Sequence, residues 1–233
     1  DDTVAKAEAA RQGLEAAQWR LVILDLPEPG KLNALNEADT HANGRVLVYL
    51  DADVICDPEM MQSLVATLDR GEPRYASGYL KVAPARSWVT KHFAQTWVRL
   101  PFMTSNVQGA GLFAVNRAGR SRWGRFPDII ADDGYVRLLF SPTERIKVDA
   151  AYHWPLAEGF ARLVKVRRRQ DAGVRELEAL YPALLKNESK PPMTLGDHLT
   201  LFAKVPLSYL VYVSVMVVVK LSGSGRKEWV RGR

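Results

Sequence analysis

Arg45-Val46-Leu47-Val48-Tyr49-Leu50-Asp51-Ala52-Asp53-Val54 decides how this chain is read. Its first half is a short, almost wholly apolar run, the pattern of a strand buried on both faces of a parallel sheet. The run ends on two carboxylates one residue apart. On an extended chain, positions i and i+2 point to the same side. Two such carboxylates repel each other unless a cation sits between them. The carboxyl ends of strands are where open α/β sheets bind ligands. Asp51 and Asp53 are therefore expected to hold a divalent metal that carries a phosphorylated ligand. The competing account is a plain turn, since Asp is common after strands.

Upstream, residues 2–18 read as a helix with Val4, Ala7, Arg11 and Leu14 on one side. Trp19 to Leu24 reads as a strand that Pro27, Pro29 and Gly30 end, and Lys31 to Asp39 as a helix with Leu32 and Leu35 inward. Gly30-Lys31 at a helix start can cradle an anion, although the Gly-x-x-x-x-Gly-Lys pattern of a P-loop is absent. Downstream, Asp57-Pro58 signals a helix start, with Met61, Leu64, Val65 and Leu68 at helical spacing. Tyr75 to Val82 reads as a strand. Ser87 to Leu100 reads as a helix with Val89, Phe93, Trp97 and Leu100 on one face.

Gln108-Gly109-Ala110-Gly111 opens another apolar strand, through Val115. Asp132-Asp133 starts a helix, where adjacent acids usually cap; the sharper reading makes one a general base. Ile146 to Tyr152 is a last strand, and Arg162 to Leu185 a basic, then amphipathic, helical region. Within it Arg167-Arg168-Arg169 is either a solvated face or a clamp on a diphosphate. Strands alternating with helices predict an α/β sandwich.

The chain has 233 residues, a net charge of +6 and 47% hydrophobic residues, which suits a folded protein with anionic partners. One cysteine, Cys56, excludes an internal disulfide and fits a reducing compartment. It lacks a nearby His or Asn partner and reads as a packed hydrophobe. His153, beside Trp154 and Pro155, reads as structural before it reads as a third metal ligand. Ser-His-Asp chemistry has no support. The opening Asp1-Asp2 does not carry the basic-then-apolar pattern of a secretory leader.

The order of motifs is more specific than any one of them. Gly30-Lys31-Leu32-Asn33-Ala34-Leu35-Asn36, Leu50-Asp51-Ala52-Asp53 with Asp57-Pro58, Gly109-Ala110-Gly111, Asp132-Asp133-Gly134-Tyr135-Val136, then Arg169 with Gly173 resemble the family 2 glycosyltransferases. The resemblance spans residues 1–185. It implies a GT-A, Rossmann-like α/β fold, a mostly parallel sheet flanked by helices, for residues 1–185. A linker over 186–198 and a membrane-associated hydrophobic segment with a basic tail over 199–233 would follow.

The resemblance implies roles by position. Asp51 and Asp53 would bind the nucleotide diphosphate through Mg²⁺ or Mn²⁺. Gly30, Lys31 and Asn36 would lie near the nucleotide. Asp133 would be the base that takes the acceptor's proton, with Asp132 where the family often has Glu. Arg169 resembles the arginine of the Gln-x-x-Arg-Trp motif of processive members. Here Val166 and Gln170 replace its Gln and Trp, which speaks against processive synthesis. The expected activity is metal-dependent, inverting transfer of a sugar from a nucleotide-diphosphate sugar to a hydroxyl of a lipid-linked or envelope polysaccharide acceptor, without nucleic acid. A sugar nucleotidyltransferase and an inactive nucleotide-sugar-binding or membrane scaffold are the rivals. Asp1-Asp2-Thr3 resembles the end of the family's first nucleotide-binding turn, so the chain is expected to lack the strand-helix-strand that precedes it.

Leu199 to Leu221 is apolar, with basic residues after it. It is short for the ~20 residues a spanning helix needs. A peripheral membrane helix is expected ahead of a single span or a buried helix, at the cytoplasmic face of the cell membrane.

Overall fold

A computed structural model describes residues 2–105 and 107–222. It divides into two compact units, one of residues 1–43 with 125–128, the other of residues 44–124 with 129–233.

The first unit is helical. The helix expected over residues 2–18 is two, α1 (Thr3–Ala9) and α2 (Arg11–Ala16), and neither has a buried residue. The expected strand at Trp19 to Leu24 has no sheet partner among the described residues. β-rich sequence makes a strand only where a ladder satisfies its amides and carbonyls. Here the Leu21 carbonyl accepts from the Arg11 guanidinium at 3.0 Å instead. α3 (Lys31–His41) begins after Gly30, whose φ of 137° suits glycine. Inside α3, Asn36 accepts from the Phe126 amide at 2.7 Å and donates to the Phe126 carbonyl at 3.4 Å, tying residues 125–128 to the helix.

The second unit carries the sheet. Its elements are β1 (Val46–Leu50), β2 (Ile55–Cys56), α4 (Met60–Leu68), β3 (Tyr75–Val82), α5 (Trp88–Trp97), α6 (Pro101–Ser105) and β4 (Leu112–Asn116). Then come α7 (Arg117–Arg120), α8 (Asp132–Leu138), β5 (Arg145–Trp154), α9 (Phe160–Leu180), α10 (Leu195–Lys204) and α11 (Pro206–Leu221). The strand order is β1-β4-β3-β5-β2. This is the expected α/β class, but the sheet is mixed. Among the described residues only β3 and β5 pair in parallel; β1–β4, β4–β3 and β5–β2 are antiparallel. Apolar runs such as 46–50 report burial and not strand direction, so the parallel expectation had no direct support in pattern. β1 is at one end of the order, and of its five residues only Leu47 is buried.

α4 covers one face of the sheet. Met60, Leu64 and Leu68, each fully buried, pack with Leu112, Ala114, Val148 and Tyr152. The inward stripe thus runs at i, i+4, i+8, and Val65, expected inward, is exposed. Aromatic rings line Tyr49, Phe113 and Tyr75, stacked at 4.6 and 5.6 Å between centroids. A second core joins α5, α9, α10 and α11 through Phe93, Trp97, Leu163, Leu201, Val215 and Val219. The C-terminal apolar stretch is therefore part of this unit. It is broken at Pro206 into α10 and α11, where a proline has no amide to continue the ladder. Among the described residues, no helix is long and apolar enough to cross a membrane. The basic tail beyond Ser222 lies outside the described residues.

Ahead of β5, Ser141 and Glu144 form a capping box, and Glu144 also pairs with the Arg122 guanidinium at 2.5 Å. Chiefly through Arg122, Glu144 is held at about 2, below its ordinary 4.5. A carboxylate depressed on folding stabilises the fold above its unfolded value and loses that contribution as pH falls to the folded value. The stability difference between wild type and Glu144→Gln should therefore be constant above about pH 5 and shrink steadily toward pH 2, measured by urea unfolding across that range.

Candidate active site

The sheet's second unit brings three loops together. β1 ends at Leu50, and the Asp51 amide continues the ladder one step by donating to the Gly111 carbonyl at 2.9 Å. The Val54 amide then donates to the Asp51 carbonyl at 3.1 Å. That bond closes a tight turn, so Asp51 and Asp53 stand in a turn and not on an extended strand as expected. Both are half-buried. A turn offers the same two hard oxygen donors, spaced by one residue, which fits a cation that takes its remaining ligands from phosphate and water.

The loop before β4 presses onto this turn. Gly109 and Gly111 have φ of 71° and 74°, values that side chains disfavour. A Cβ on Gly109 would lie 1.6 Å from the Tyr75 hydroxyl. One on Gly111 would lie 2.9 Å from both Trp154 Cδ1 and Val54 Cγ2. The Tyr152 hydroxyl donates to the Ala110 carbonyl at 2.9 Å. The loop is thus fixed at both glycines and at the residue between them.

The acid pair opens α8. Asp132 and Asp133 occupy its first turn, with Ala131 at the cap position, so neither is the cap residue the sequence suggested. Carboxylates in a first turn are favoured by the helix dipole. Asp132 is buried, and Asp133 is half-buried, its Oδ1 accepting from the Gly134 amide at 2.7 Å. Burial pushes the Tyr152 hydroxyl well up, and the charges of Asp133 and Asp51 add to the shift. Burial likewise pushes up the Tyr75 hydroxyl, on which the Asp133 charge also acts. The two aspartates expected to serve different halves of one reaction thus bear on a single buried tyrosine.

α9 sets the position of this acid loop. A Cβ on Gly173 would meet Ala131 and Ile130 at 3.0 Å, and one on Gly134 would meet Leu177 at 3.1 Å. Glu176 accepts from the Ile130 amide at 2.7 Å. Arg169 is half-buried one turn ahead of Gly173, on the same helical side. Nearby, Arg167 donates to Gln170 and Asp171. Gly30, Lys31 and Asn36 belong to the other unit. Lys31 is exposed, and the Asn36 amide is engaged by Phe126. His153 Nε2 lies 3.3 Å from Asp57 Oδ1, which accounts for it structurally. Among the described residues, no group of three or more His, Cys, Asp or Glu could hold a metal ion by itself. Sequence reasoning missed Tyr75, Tyr152 and Trp154. Their only trace was the aromatic spacing of β3 and β5, which any core strand can show.

Gly109→Ala should displace the loop from Tyr75, because both the positive φ and the 1.6 Å contact oppose a methyl group. A loss of at least about 2 kcal/mol in urea unfolding is expected, against less than about 0.5 for Gly71→Ala, which meets nothing within 4 Å.

Residues 1–127 match the family model "Glycosyl transferase family 2". The match includes the Asp51–Asp53 turn and the Gly109–Gly111 loop; Asp132, Asp133 and Arg169 lie beyond it. No curated protein sequence matches. Among solved structures, the chain is similar to a mannosyltransferase from Pyrobaculum calidifontis in complex with GDP-Man and Mn²⁺. The two share 18% identity at a TM-score of 0.52, over 96% of this chain and 64% of that one. It also matches a structure described as a mycobacterial protein, with 21% identity and a TM-score of 0.45, over 76% of this chain and 60% of that one. The chain thus spans less than two thirds of either. More than half of its residues fall within the family model, and the GT-A-like α/β architecture agrees: the chain belongs to glycosyl transferase family 2.

Proposed function

We propose that this protein transfers a sugar from a nucleotide-diphosphate sugar to an acceptor hydroxyl by a single displacement, with inversion at the anomeric carbon. The observation that carries this is the Asp51 amide's bond to the Gly111 carbonyl, which sets the acidic turn against the Gly109–Gly111 loop that the buried Tyr152 hydroxyl also holds. Sugar donor and acceptor would meet over that loop. Asp133 accepts the proton of the attacking hydroxyl. Asp132, buried behind it, is a positioning residue for the first turn of α8. Asp51 and Asp53 would hold Mg²⁺ or Mn²⁺, which would supply positive charge against the diphosphate leaving group. The solved relative with GDP-Man and Mn²⁺ supports a nucleotide-sugar donor and a divalent cation. By the resemblance, Gly30, Lys31, Asn36 and Arg169 serve the nucleotide-sugar.

Asp133→Asn should retain metal-dependent binding of the donor and lose about 10²–10⁴-fold in turnover. Asp51→Asn should lose the metal-dependent part of binding. Full turnover by Asp133→Asn would sink the base assignment. Donor binding indifferent to Mn²⁺ in the wild type would sink the metal assignment.

The acceptor is lipid-linked or a saccharide of the envelope, and the protein works at a membrane surface on its cytoplasmic side. Support comes from α11, which is apolar all round. One side packs on α5 and α9. The other exposes Leu207, Leu210, Ser214, Val217 and Leu221 at alternating spacings of three and four, and α10 adds Leu195, Leu199 and Phe202. Lys204 and Lys220 supply positive charge on these helices, and the sequence goes on to Arg226-Lys227, Arg231 and Arg233; positive charge suits anionic lipid. Wild type should float with vesicles containing phosphatidylglycerol, and Leu210→Glu with Val217→Glu should reduce the floated fraction several-fold. Unchanged flotation of the double variant removes this face as the lipid contact. Loss of self-association in its place would make the face a dimer seam.

A further inference from the structure

Four cations, Arg137, Arg145, Arg167 and Lys190, lie around α8, α9 and the stretch after the 3-10 turn Pro182–Asn187. Arg137 stands one turn beyond Asp133 on α8. Its Nη2 donates to Glu188 Oε2 at 2.5 Å. Glu188 is also occupied from the other side, since its Oε1 accepts the amides of Ser189 and Lys190 at 2.8 and 3.0 Å. The Lys190 ammonium lies 4.5 Å from the centroid of the Phe102 ring. Arg167, on α9, donates Nη1 to Gln170 at 2.8 Å and Nη2 to Asp171 at 3.4 Å. Arg145 is buried beneath, donating to the Phe140 and Asn187 carbonyls and to Ser189.

The donors in this cluster exceed what the protein supplies them. Among the described residues, Arg137 Nη1 and Arg167 Nε are buried with no hydrogen-bond partner. An unmet buried donor costs about 1–3 kcal/mol, and more when charged. Charge is also unbalanced, with Arg137, Arg145, Arg167 and Lys190 set against Glu188 and Asp171. The repulsion is felt at Lys190, whose pKa is pushed down by burial first, then by Arg167 and Arg137. Lys190 keeps surface open to solvent while its ammonium stands partly desolvated among these groups, so the cluster is approached from the Lys190 side. A multi-oxygen dianion bound at the cluster would offset the excess charge, and forked guanidinium donors match phosphate geometry.

We propose that Arg137, Arg167 and Lys190 form a receptor for a phosphate group of a substrate, placed beside Asp133. The proximity to Asp133 is set by the one helical turn between it and Arg137, and by the charges of both acting on the Tyr75 hydroxyl. That the phosphate belongs to a substrate rests on the transferase function proposed above; the anion site itself does not. The phosphate has two possible sources. One is a phosphate on the acceptor, as on a lipid phosphate. The other is the diphosphate of the donor.

The test titrates the full chain by calorimetry with inorganic phosphate, with octyl phosphate below its micellar concentration, and with a nucleoside diphosphate plus Mn²⁺. Lys190→Gln is the principal variant, because it keeps the backbone bonds to Glu188. Arg137→Gln is the second, and Arg175→Gln, exposed on α9, is the control. Wild type should bind inorganic phosphate, and Lys190→Gln should weaken it at least tenfold while Arg175→Gln stays within twofold. An equal loss for octyl phosphate with the nucleotide unchanged assigns the site to the acceptor; the reverse assigns it to the donor. Phosphate affinity within twofold of wild type in Lys190→Gln and in folded Arg137→Gln overturns the proposal, as does no binding of any probe by wild type. Phosphate binding that survives in a chain with no transferase turnover would overturn the proposed function and leave the site standing.

Discussion

The Asp51 amide bonded to the Gly111 carbonyl is the contact on which the candidate site depends. It is the last step of the β1–β4 ladder, whose register runs from Val46 opposite Asn116 to Leu50 opposite Leu112. A slip of one residue would turn every side chain of β1 to the other face and remove Asp51 from the glycine loop. Asn116 guards that register at the far end. Its side chain donates to the Arg70 and Glu72 carbonyls and accepts from the Arg74 and Gly119 amides. A buried amide with every hydrogen bond made has one low-energy position, and it pins the strand that carries the loop.

The second constraint is close approach. Gly109 and Gly111 let the loop reach Tyr75, Trp154 and Val54; Gly134 and Gly173 let α8 and α9 touch. In both places the missing Cβ brings a carboxylate-bearing segment against a rigid element. Reactive groups held this way lose little freedom when substrate arrives, which is how a scaffold contributes orientation. The cations behind α8 sit on the same packing. Their desolvation and unspent donors are a cost that a bound anion would relieve, and the helix contact that fixes Asp133 also fixes Arg137.

Much of the fold was legible because burial has a period. The stripes of α4 and α5, the apolar run of β1 and the glycine entry to β4 were all read in nearly their observed places. Direction was not legible: an apolar run has the same composition in a parallel or antiparallel ladder, and Trp19 to Leu24 has strand composition without a strand's partner. The C-terminal stretch shows the same limit. Its hydrophobicity was plain, but only packing on α5 and α9 divides it into a side within the core and a side left exposed.

The sequence by itself determined the acidic and glycine motifs, their order, and the family to which they belong, because those depend on which residues occur and how far apart they stand. Tertiary structure decided the rest. It placed Asp51 and Asp53 in a turn, bonded the Tyr152 hydroxyl to the Ala110 carbonyl, engaged Asn36 with Phe126, and gathered Arg137, Arg167 and Lys190 from separate elements. All but the turn are contacts between residues distant in the chain, set by ladder register and by how closely elements approach where a glycine leaves out the Cβ. Local spacing carries no information on either.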